Sequence, residues 1–312
     1  MPLPERKLIE RIRAHAGARA PHLPVGIGDD CAVLRPPRGH ELLITTDFSL
    51  EGVHFRRDWH SAECVGHRCL ARGLSDIAAM GGEPLVAFLS LALPAGLEQR
   101  WVDGFLRGLL KLAKRFNVPL AGGDIAQSPA GVLADIMVVG SVPQRKALLR
   151  SGARPGDALY VTGALGGSAA AIQQMRAGKK LSPAQNRAHF FPEPRIAVGR
   201  LLRERRVAGA AIDLSDGLST DLSHICEESG VGAVVYAERV PLAKRATLDL
   251  ALHGGEDYEL LFTAAPRARV AEEIAGVRVT RIGEIIRGDH LFICDRNGRR
   301  KPLPPRGWEH FR

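Results

Sequence analysis

Leu8, Ile9 and Ile12 recur at helical spacing and predict an N-terminal helix over residues 5 to 16, ahead of a Pro/Gly-rich approach to Asp29 and Asp30. Leu42 to Thr46 reads as a strand ending at Asp47. Ser61 is placed to cap a long helix through Ala79, which Gly81-Gly82 stops. The apolar run Leu85 to Leu93 predicts a strand, and after Pro94 a helix covers about Glu98 to Phe116. Val118 to Ala121 and Val132 to Gly140 supply strands around Gly122-Gly123-Asp124. The turn formers from Ser151 to Gly156 mark the clearest boundary, followed by a strand, Ala158 to Thr162. Beyond it, helices near 167 to 177, 195 to 206 and 217 to 229 alternate with strands near 209 to 213, 232 to 237, 258 to 263 and 290 to 294. The pattern predicts an α/β (α+β) chain of two domains, with no fixed-period repeat and no low-complexity segment.

The polar residues that interrupt this pattern are unevenly spread. Carboxylates gather beside glycines and hydroxyls in turn-like motifs: Gly26-Ile27-Gly28-Asp29-Asp30, Thr45-Thr46-Asp47, Ser75-Asp76, Gly122-Gly123-Asp124 and Asp213-Leu214-Ser215-Asp216-Gly217. Such groups repel bare phosphate but suit several Mg²⁺ ions, each of which takes hard oxygen ligands and commonly only one or two carboxylates. Asp76 falls near the C-terminal end of its helix, where a carboxylate opposes the helix dipole and a cation would relieve the conflict; an exposed, solvated Asp is the alternative. Around Ser215, helix capping by Ser215 or Asp216 explains part of the spacing, but not Asp213. Gly254-Gly255-Glu256-Asp257-Tyr258-Glu259 is a further acidic turn, in which Glu256 or Asp257 either holds a substrate or serves the chain reversal. His54 is either a phosphate or ring contact or a structural histidine.

Composition narrows the classes. A net charge of +9, from 43 basic and 34 acidic residues among 312, comes with dispersed basic residues and no aromatic-basic or paired Cys/His motif. A solvated surface is therefore expected rather than nucleic-acid binding. Five cysteines without CxxC spacing fit reduced thiols in the cytoplasm. No apolar stretch approaches the ~20 residues that span a bilayer, and no signal-peptide core is present, so a soluble protein is expected.

Common nucleotide motifs are missing. There is no GxxxxGK[ST] loop, since Gly178-Lys179-Lys180 lacks the upstream glycine and downstream hydroxyl, and no HRD or DFG kinase pattern occurs. Gly26-Ile27-Gly28 continues into Asp29 and Asp30, which oppose a pyrophosphate. Thr162-Gly163-Ala164-Leu165-Gly166-Gly167-Ser168 joins a strand to a helix, so its amides either approach an anion or form a tight turn.

Taken in order, GIGDDCAVL (26 to 34), TTDFSLEGVHF (45 to 55), LSDIAAMGG (74 to 82), GGD (122 to 124), LLRSGARPGD (148 to 157), DLSDGL (213 to 218) and GGEDYEL (254 to 260) resemble the thiamine-monophosphate kinases. The similarity runs on to Trp308-Glu309-His310-Phe311. The resemblance implies ATP-dependent phosphorylation of thiamine monophosphate to thiamine diphosphate. It also implies the fold shared with aminoimidazole ribonucleotide synthetase, the PurM-like fold, assembled as a homodimer. Residues 1 to 149 would be the ATP- and metal-binding, dimerising domain and 150 to 312 the C-terminal domain. Asp30, Thr45, Thr46, Asp47, Asp76, Asp124, Asp213 and Asp216 match metal positions, Gly123, Asp124, Arg150 and Ser215 ATP contacts, and His54, Glu256 and Trp308 substrate contacts. The chain departs from common family forms at Gly73, where Asn is frequent, and at Ile125-Ala126, where small hydroxyl residues are often found.

These residue types suit that reaction. A phosphate acceptor is already anionic near neutral pH, so no dedicated acid or base is required, and the difficulty lies in holding two mutually repelling anions together. Rival readings are other ATP-using enzymes of the same fold, namely aminoimidazole ribonucleotide synthetase, selenophosphate synthetase and a hydrogenase-maturation factor. The last is expected to carry a functional C-terminal cysteine, whereas this chain ends Trp-Glu-His-Phe-Arg, and Cys31 follows the aspartates where a selenide enzyme needs a reactive cysteine in its glycine loop. A non-catalytic nucleotide-binding regulator is the reading from another class.

Overall fold

Leu8 and Ile12 are the buried residues of α1 (Glu5–Ala16), as their spacing predicts. In this computed structural model, which describes residues 1–16, 20–28 and 30–311, the chain forms two compact units. The first comprises Met1–Ile77 and Gly82–Arg145, and the second Ala78–Gly81 and Lys146–Arg312.

The first unit continues with β1 (His40–Leu50), α2 (Ala62–Ala79), β2 (Glu83–Pro94), α3 (Gln99–Arg115), β3 (Leu120–Ser128) and β4 (Leu133–Pro143). Its sheet has the order β1-β4-β2-β3, with β4 antiparallel to both neighbours and β2 parallel to β3 through the α3 crossover. Ser61 caps α2 as expected, its Oγ accepting from Cys64 N at 3.3 Å. Gly81 ends that helix in the left-handed region, φ 65°. Strand alternation sorts β4: Ala134, Ile136 and Val138 are buried, while Met137 points outward. Part of the outer face is covered where Leu23 packs with Val86, Ala121 and Val139, but Leu42, Ile44 and Phe48 of β1 stay exposed.

One motif read as turn-like, Gly122-Gly123-Asp124, lies inside a strand, and the strand expected to end at Asp47 runs on past it. Thr45-Thr46-Asp47 sits within β1, which runs three residues beyond Asp47, because its pairing with β4 continues through Leu50↔Leu133. Gly122-Gly123-Asp124 sits within β3, which starts at Leu120 rather than Val118 and continues to Ser128. Gly123 has φ 147°, and a Cβ there would stand 1.8 Å from Leu89 O on β2, so only glycine lets the strands pair through this point.

The second unit contains β5 (Ala158–Thr162), α4 (Gly167–Arg176), α5 (Arg187–Phe190), α6 (Ile196–Glu204), β6 (Ala211–Asp213), α7 (Leu218–Ser229), β7 (Gly232–Tyr236), α8 (Leu248–His253), β8 (Leu260–Ala264), β9 (Glu273–Ile274), β10 (Val277–Ile286), β11 (Leu291–Cys294) and β12 (Arg300–Pro302). The sheet order is β12-β11-β7-β10-β5-β8-β6, with β9 paired to β10. The expected strands and helices form with shifted ends. β9, β10, β12, α5 and α8 were not expected, and β10 is the central strand joining β5 to β7. Its arginines at 278 and 281 break the apolar run, and a register shift between Arg281 and Gly283 breaks the alternation, so periodicity alone did not reveal it. Leu159, Val161, Val235, Leu261, Ile282 and Ile285 meet in the core of this unit.

Replacing Gly123 with Ala should destabilise the first unit by about 2–4 kcal/mol through collision with the β2 backbone. Chemical denaturation of wild type and variant measures this, and equal midpoints would refute the close-approach argument.

Candidate active site

In the first unit, β1 and the end of α2 bring three predicted residues together. Thr45 Oγ1 donates a short hydrogen bond to Asp76 Oδ2. Burial, followed by the nearby charge of Asp76, pushes the Asp47 carboxyl up to about 7; Arg72 acts in the opposite direction, and Asp135 adds further repulsion. On the same strand, Thr46 Oγ1 donates to Asp135 Oδ1 at 2.6 Å. Asp135 escaped the sequence analysis because it interrupts the apolar strand Leu133-Ala134-Asp135-Ile136 without a glycine or hydroxyl beside it. Its one signal is that lone carboxylate.

Asp124 is exposed on β3, its Oδ1 accepting from Ile125 N at 2.9 Å. Opposite Asp124 on β2 is Ser90, which also pairs with Asp135 on β4, so Asp124, Ser90 and Asp135 lie in one row across three strands. Asp30 lies exposed in the short connection that Val33 N closes onto Val25 O at 2.9 Å; Asp29 lies outside the described residues. His54 is half-buried, and its Nδ1 accepts from Leu50 N at 3.0 Å, which places the ring proton on Nε2.

The second unit gathers a different set. Asp213 ends β6 and is buried, and Ser215 and Asp216 follow in the connection to α7. The N-cap position of that helix falls to Gly217, which has no side chain to cap it. The cap comes from within: Asp221 Oδ2 accepts from Asp216 N at 3.2 Å and Gly217 N at 3.0 Å. Burial, then the charges of Asp213 and Asp216, hold the Asp221 carboxyl well above the usual carboxylate range.

Two distant segments converge on the same turn. Glu256 N donates to Ser215 O at 2.7 Å, and Trp308 N donates to Asp216 O at 3.0 Å. Glu256 and Tyr258 both have left-handed backbones, φ 66° and 52°, a costly conformation that the surrounding contacts maintain. Trp308 is half exposed, at 50%. Arg150 is also exposed, its carbonyl oxygen accepting from Ser229 Oγ at 2.7 Å. Of the expected residues of this unit, Asp213, Ser215, Asp216, Glu256 and Trp308 thus share one neighbourhood.

The acidic turn also holds two residues with structural work. Asp257 Oδ2 accepts from Gly166 N at 2.7 Å, so the protein's own carboxylate fills the strand-to-helix amide turn at the start of α4. Although Asp257 as a residue keeps some exposure, its Oδ1 is out of solvent contact, and burial pushes the carboxyl up to about 7 against the pull of the amides. Glu259 receives Arg195 Nε at 2.7 Å and Thr162 Oγ1 at 2.6 Å. Neither pairing had a local sequence signal, since the partners are 64 and 97 residues away.

The donors are hard oxygens, carboxylates and hydroxyls, which is the ligand chemistry of Mg²⁺, and crowded carboxyls with raised affinity for protons are those a cation would relieve. Among the described residues, however, no three His, Cys, Asp or Glu side chains form one ready metal-holding group. The acidic motifs stand as local sets within each unit.

Residues 28–142 match the N-terminal domain family of AIR synthase related proteins, and residues 154–295 match the C-terminal domain family. Thiamine-monophosphate kinase of Escherichia coli K12 is 38% identical over 304 residues, covering 92% of each sequence. The chain belongs to the thiamine-monophosphate kinase family. The Haemophilus influenzae enzyme of that name is 36% identical over 309 residues, with 92% of each covered. The thiamine-monophosphate kinase structure from Stenotrophomonas maltophilia K279a has a TM-score of 0.83 at 36% identity, covering 92% of this chain and 95% of that one. The structure of AaThiL complexed with AMPPCP and TMP has a TM-score of 0.79 at 32% identity, covering 99% and 97%. A hydrogenase maturation protein, HypE in complex with ATP, reaches 0.80 at 18% identity, which shows a shared fold alone.

Two measurements test the electrostatics of this family member. Asp47 and Asp257, raised from 3.8 to about 7, keep protons in the folded state that the unfolded chain has already released. In EDTA, stability should therefore fall as pH rises from about 4 to about 7; a thermal midpoint that is flat or rising across that window would contradict the shifts. Asp221→Asn should raise the EDTA midpoint at pH 8 by relieving repulsion while keeping an acceptor for both amides. Asp221→Ala should be less stable than Asp221→Asn by about 2 kcal/mol, because it also loses the cap.

Proposed function

We propose that this protein transfers the γ-phosphoryl group of ATP to thiamine monophosphate, producing thiamine diphosphate and ADP. The observation that carries this reading is similarity to named thiamine-monophosphate kinases along 92% of the chain, supported by a structural neighbour whose complex holds AMPPCP and TMP. The hydrogenase maturation protein HypE offers only a common fold, at 18% identity.

The acceptor oxygen of thiamine monophosphate already carries negative charge, so this chain needs no acid or base for the transfer. Asp30, Thr45, Thr46, Asp47, Asp76, Asp124, Asp213 and Asp216 are proposed to hold several Mg²⁺ ions. When bound, such ions would supply positive charge to offset the repulsion between the two phosphate partners. Gly123 exposes bare backbone beside Asp124 to ATP, Arg150 offers a forked cation to its phosphates, and Ser215 donates a hydroxyl hydrogen bond. His54 directs its Nε2 proton toward a substrate oxygen. Trp308, half exposed, supplies a face for the cationic or aromatic rings of thiamine, and Glu256 balances their charge. Transfer is direct and in-line, without a phosphoenzyme.

A homodimer is part of the reading. The bare outer stripe of Leu42, Ile44 and Phe48 lies on β1, an edge strand, and apolar surface on a sheet edge is commonly covered by a partner. Five free cysteines, four of them buried, fit residence in the reducing cytoplasm. Among the described residues, no helix is long and apolar enough to cross a membrane.

Purified protein incubated with Mg-ATP and thiamine monophosphate should form thiamine diphosphate, detected chromatographically, and Asp47→Asn should lower kcat/KM by roughly 10²-fold or more. ADP without thiamine diphosphate, or a phosphorylated protein trapped in single turnover, would overturn the assignment or its direct mechanism respectively. Ile44→Glu with Phe48→Glu should shift the wild-type dimer toward monomer in analytical ultracentrifugation; a variant that stays dimeric would exclude this stripe as the interface.

A further inference from the structure

An open polar cleft lies in the second unit, at the C-terminal end of α4. It measures about 700 Å³, and its cationic lining consists of Lys179, Lys180 and Arg245. Gly178, with φ 78°, ends the helix, and Lys179 N donates to Gln174 O at 3.0 Å, which fixes where the lysines emerge. The remaining walls include the side chains of Gln173, Gln185 and Ser182, all able to donate hydrogen bonds.

The cleft is built from two stretches without acidic residues. None occurs between Asp157 and Glu193, or between Glu238 and Asp249, although the chain contains 34. Among the described residues, no carboxylate lies within ion-pair distance of Lys179, Lys180 or Arg245. Helix polarity alone favours lysines at this end of α4. It does not account for Arg245, which arrives from another segment with a left-handed backbone, φ 68°, and is tied down by Nη1 donating to Gln174 Oε1 at 3.1 Å. A non-glycine residue held in that conformation, presenting a guanidinium into a cleft beside two ammonium groups, is the arrangement of an anion receptor.

We propose that this cleft binds a compact small-molecule anion carrying several phosphate charges, at a site separate from the acidic motifs and independent of divalent cations. The volume falls within the range of small-ligand sites, and three uncompensated cations with neighbouring amide donors match phosphate oxygens. The acidic motifs require metal before they can accept such an anion, so chelation distinguishes the two.

The probe is inorganic tripolyphosphate, titrated calorimetrically into the full-length protein in EDTA. One equivalent should bind, and Lys179→Ala with Lys180→Ala should weaken binding by roughly tenfold or more. Arg245→Gly should also weaken it while leaving the thermal midpoint equal or higher, because glycine relieves the backbone conformation as it removes the cation. That pairing separates lost binding from lost folding. Arg299→Ala with Lys301→Ala, which alters another basic cluster, should change nothing, and all variants should keep thiamine diphosphate formation within about twofold of wild type. Absence of binding in EDTA, equal affinity in the cleft variants, or RNA binding at this cluster in place of tripolyphosphate would overturn the proposal.

Discussion

Repulsion between carboxylates held close together underlies much of the organisation of this chain. Asp47 is crowded by Asp76 and Asp135, and Asp221 by Asp213 and Asp216. Water normally spreads such charges apart, and partial burial on strands and at helix ends prevents it. The fold supplies rigidity from elsewhere: α2 and the sheet fix one set, and the capped start of α7 fixes the other. Each set so arranged is tense until positive charge reaches it, and the proposed reaction would bring that charge together with its substrates.

Backbone contacts position this charge as much as side chains do. Ser215 O and Asp216 O receive amides from Glu256 and Trp308, so the segment at the end of β6 is stitched to the acidic loop before β8 and to the C-terminal stretch. The left-handed residues Glu256 and Tyr258 store conformational cost in that loop. Arg195, Thr162 and Glu259 anchor its far end through buried, charge-assisted bonds.

Much of this was legible in the sequence, and the failures have physical causes. Leu8 and Ile12, Ser61 as a cap and the Gly81 stop behave as local chemistry dictates, because short-range hydrogen bonds and periodic burial decide them. The sequence resemblance reached the family for a different reason: the ordered motifs are too numerous to coincide by chance. The glycine-rich acidic segment Gly122-Gly123-Asp124 misled because sheet pairing overrode turn propensity, and the strand through Thr45-Thr46-Asp47 ran longer than its local pattern indicated. β10 escaped because arginines and a register shift blur its alternation. Asp135 and Glu259 escaped because their partners come together only through tertiary folding, and Asp221 because it caps backward from inside its own helix.

Asp257 leaves a further mark on how the protein meets phosphate. The strand, glycine turn and helix from β5 into α4 have the outline of a loop that cradles a nucleotide tail, yet its leading amide already grips a carboxylate of the same chain. The helix's positive pole is thereby engaged in folding, and an arriving triphosphate finds no vacancy there. Under the proposed function, recognition would fall instead to the acidic side chains, and nucleotide capture would then depend on the supply of dissolved divalent salts rather than on the polypeptide alone.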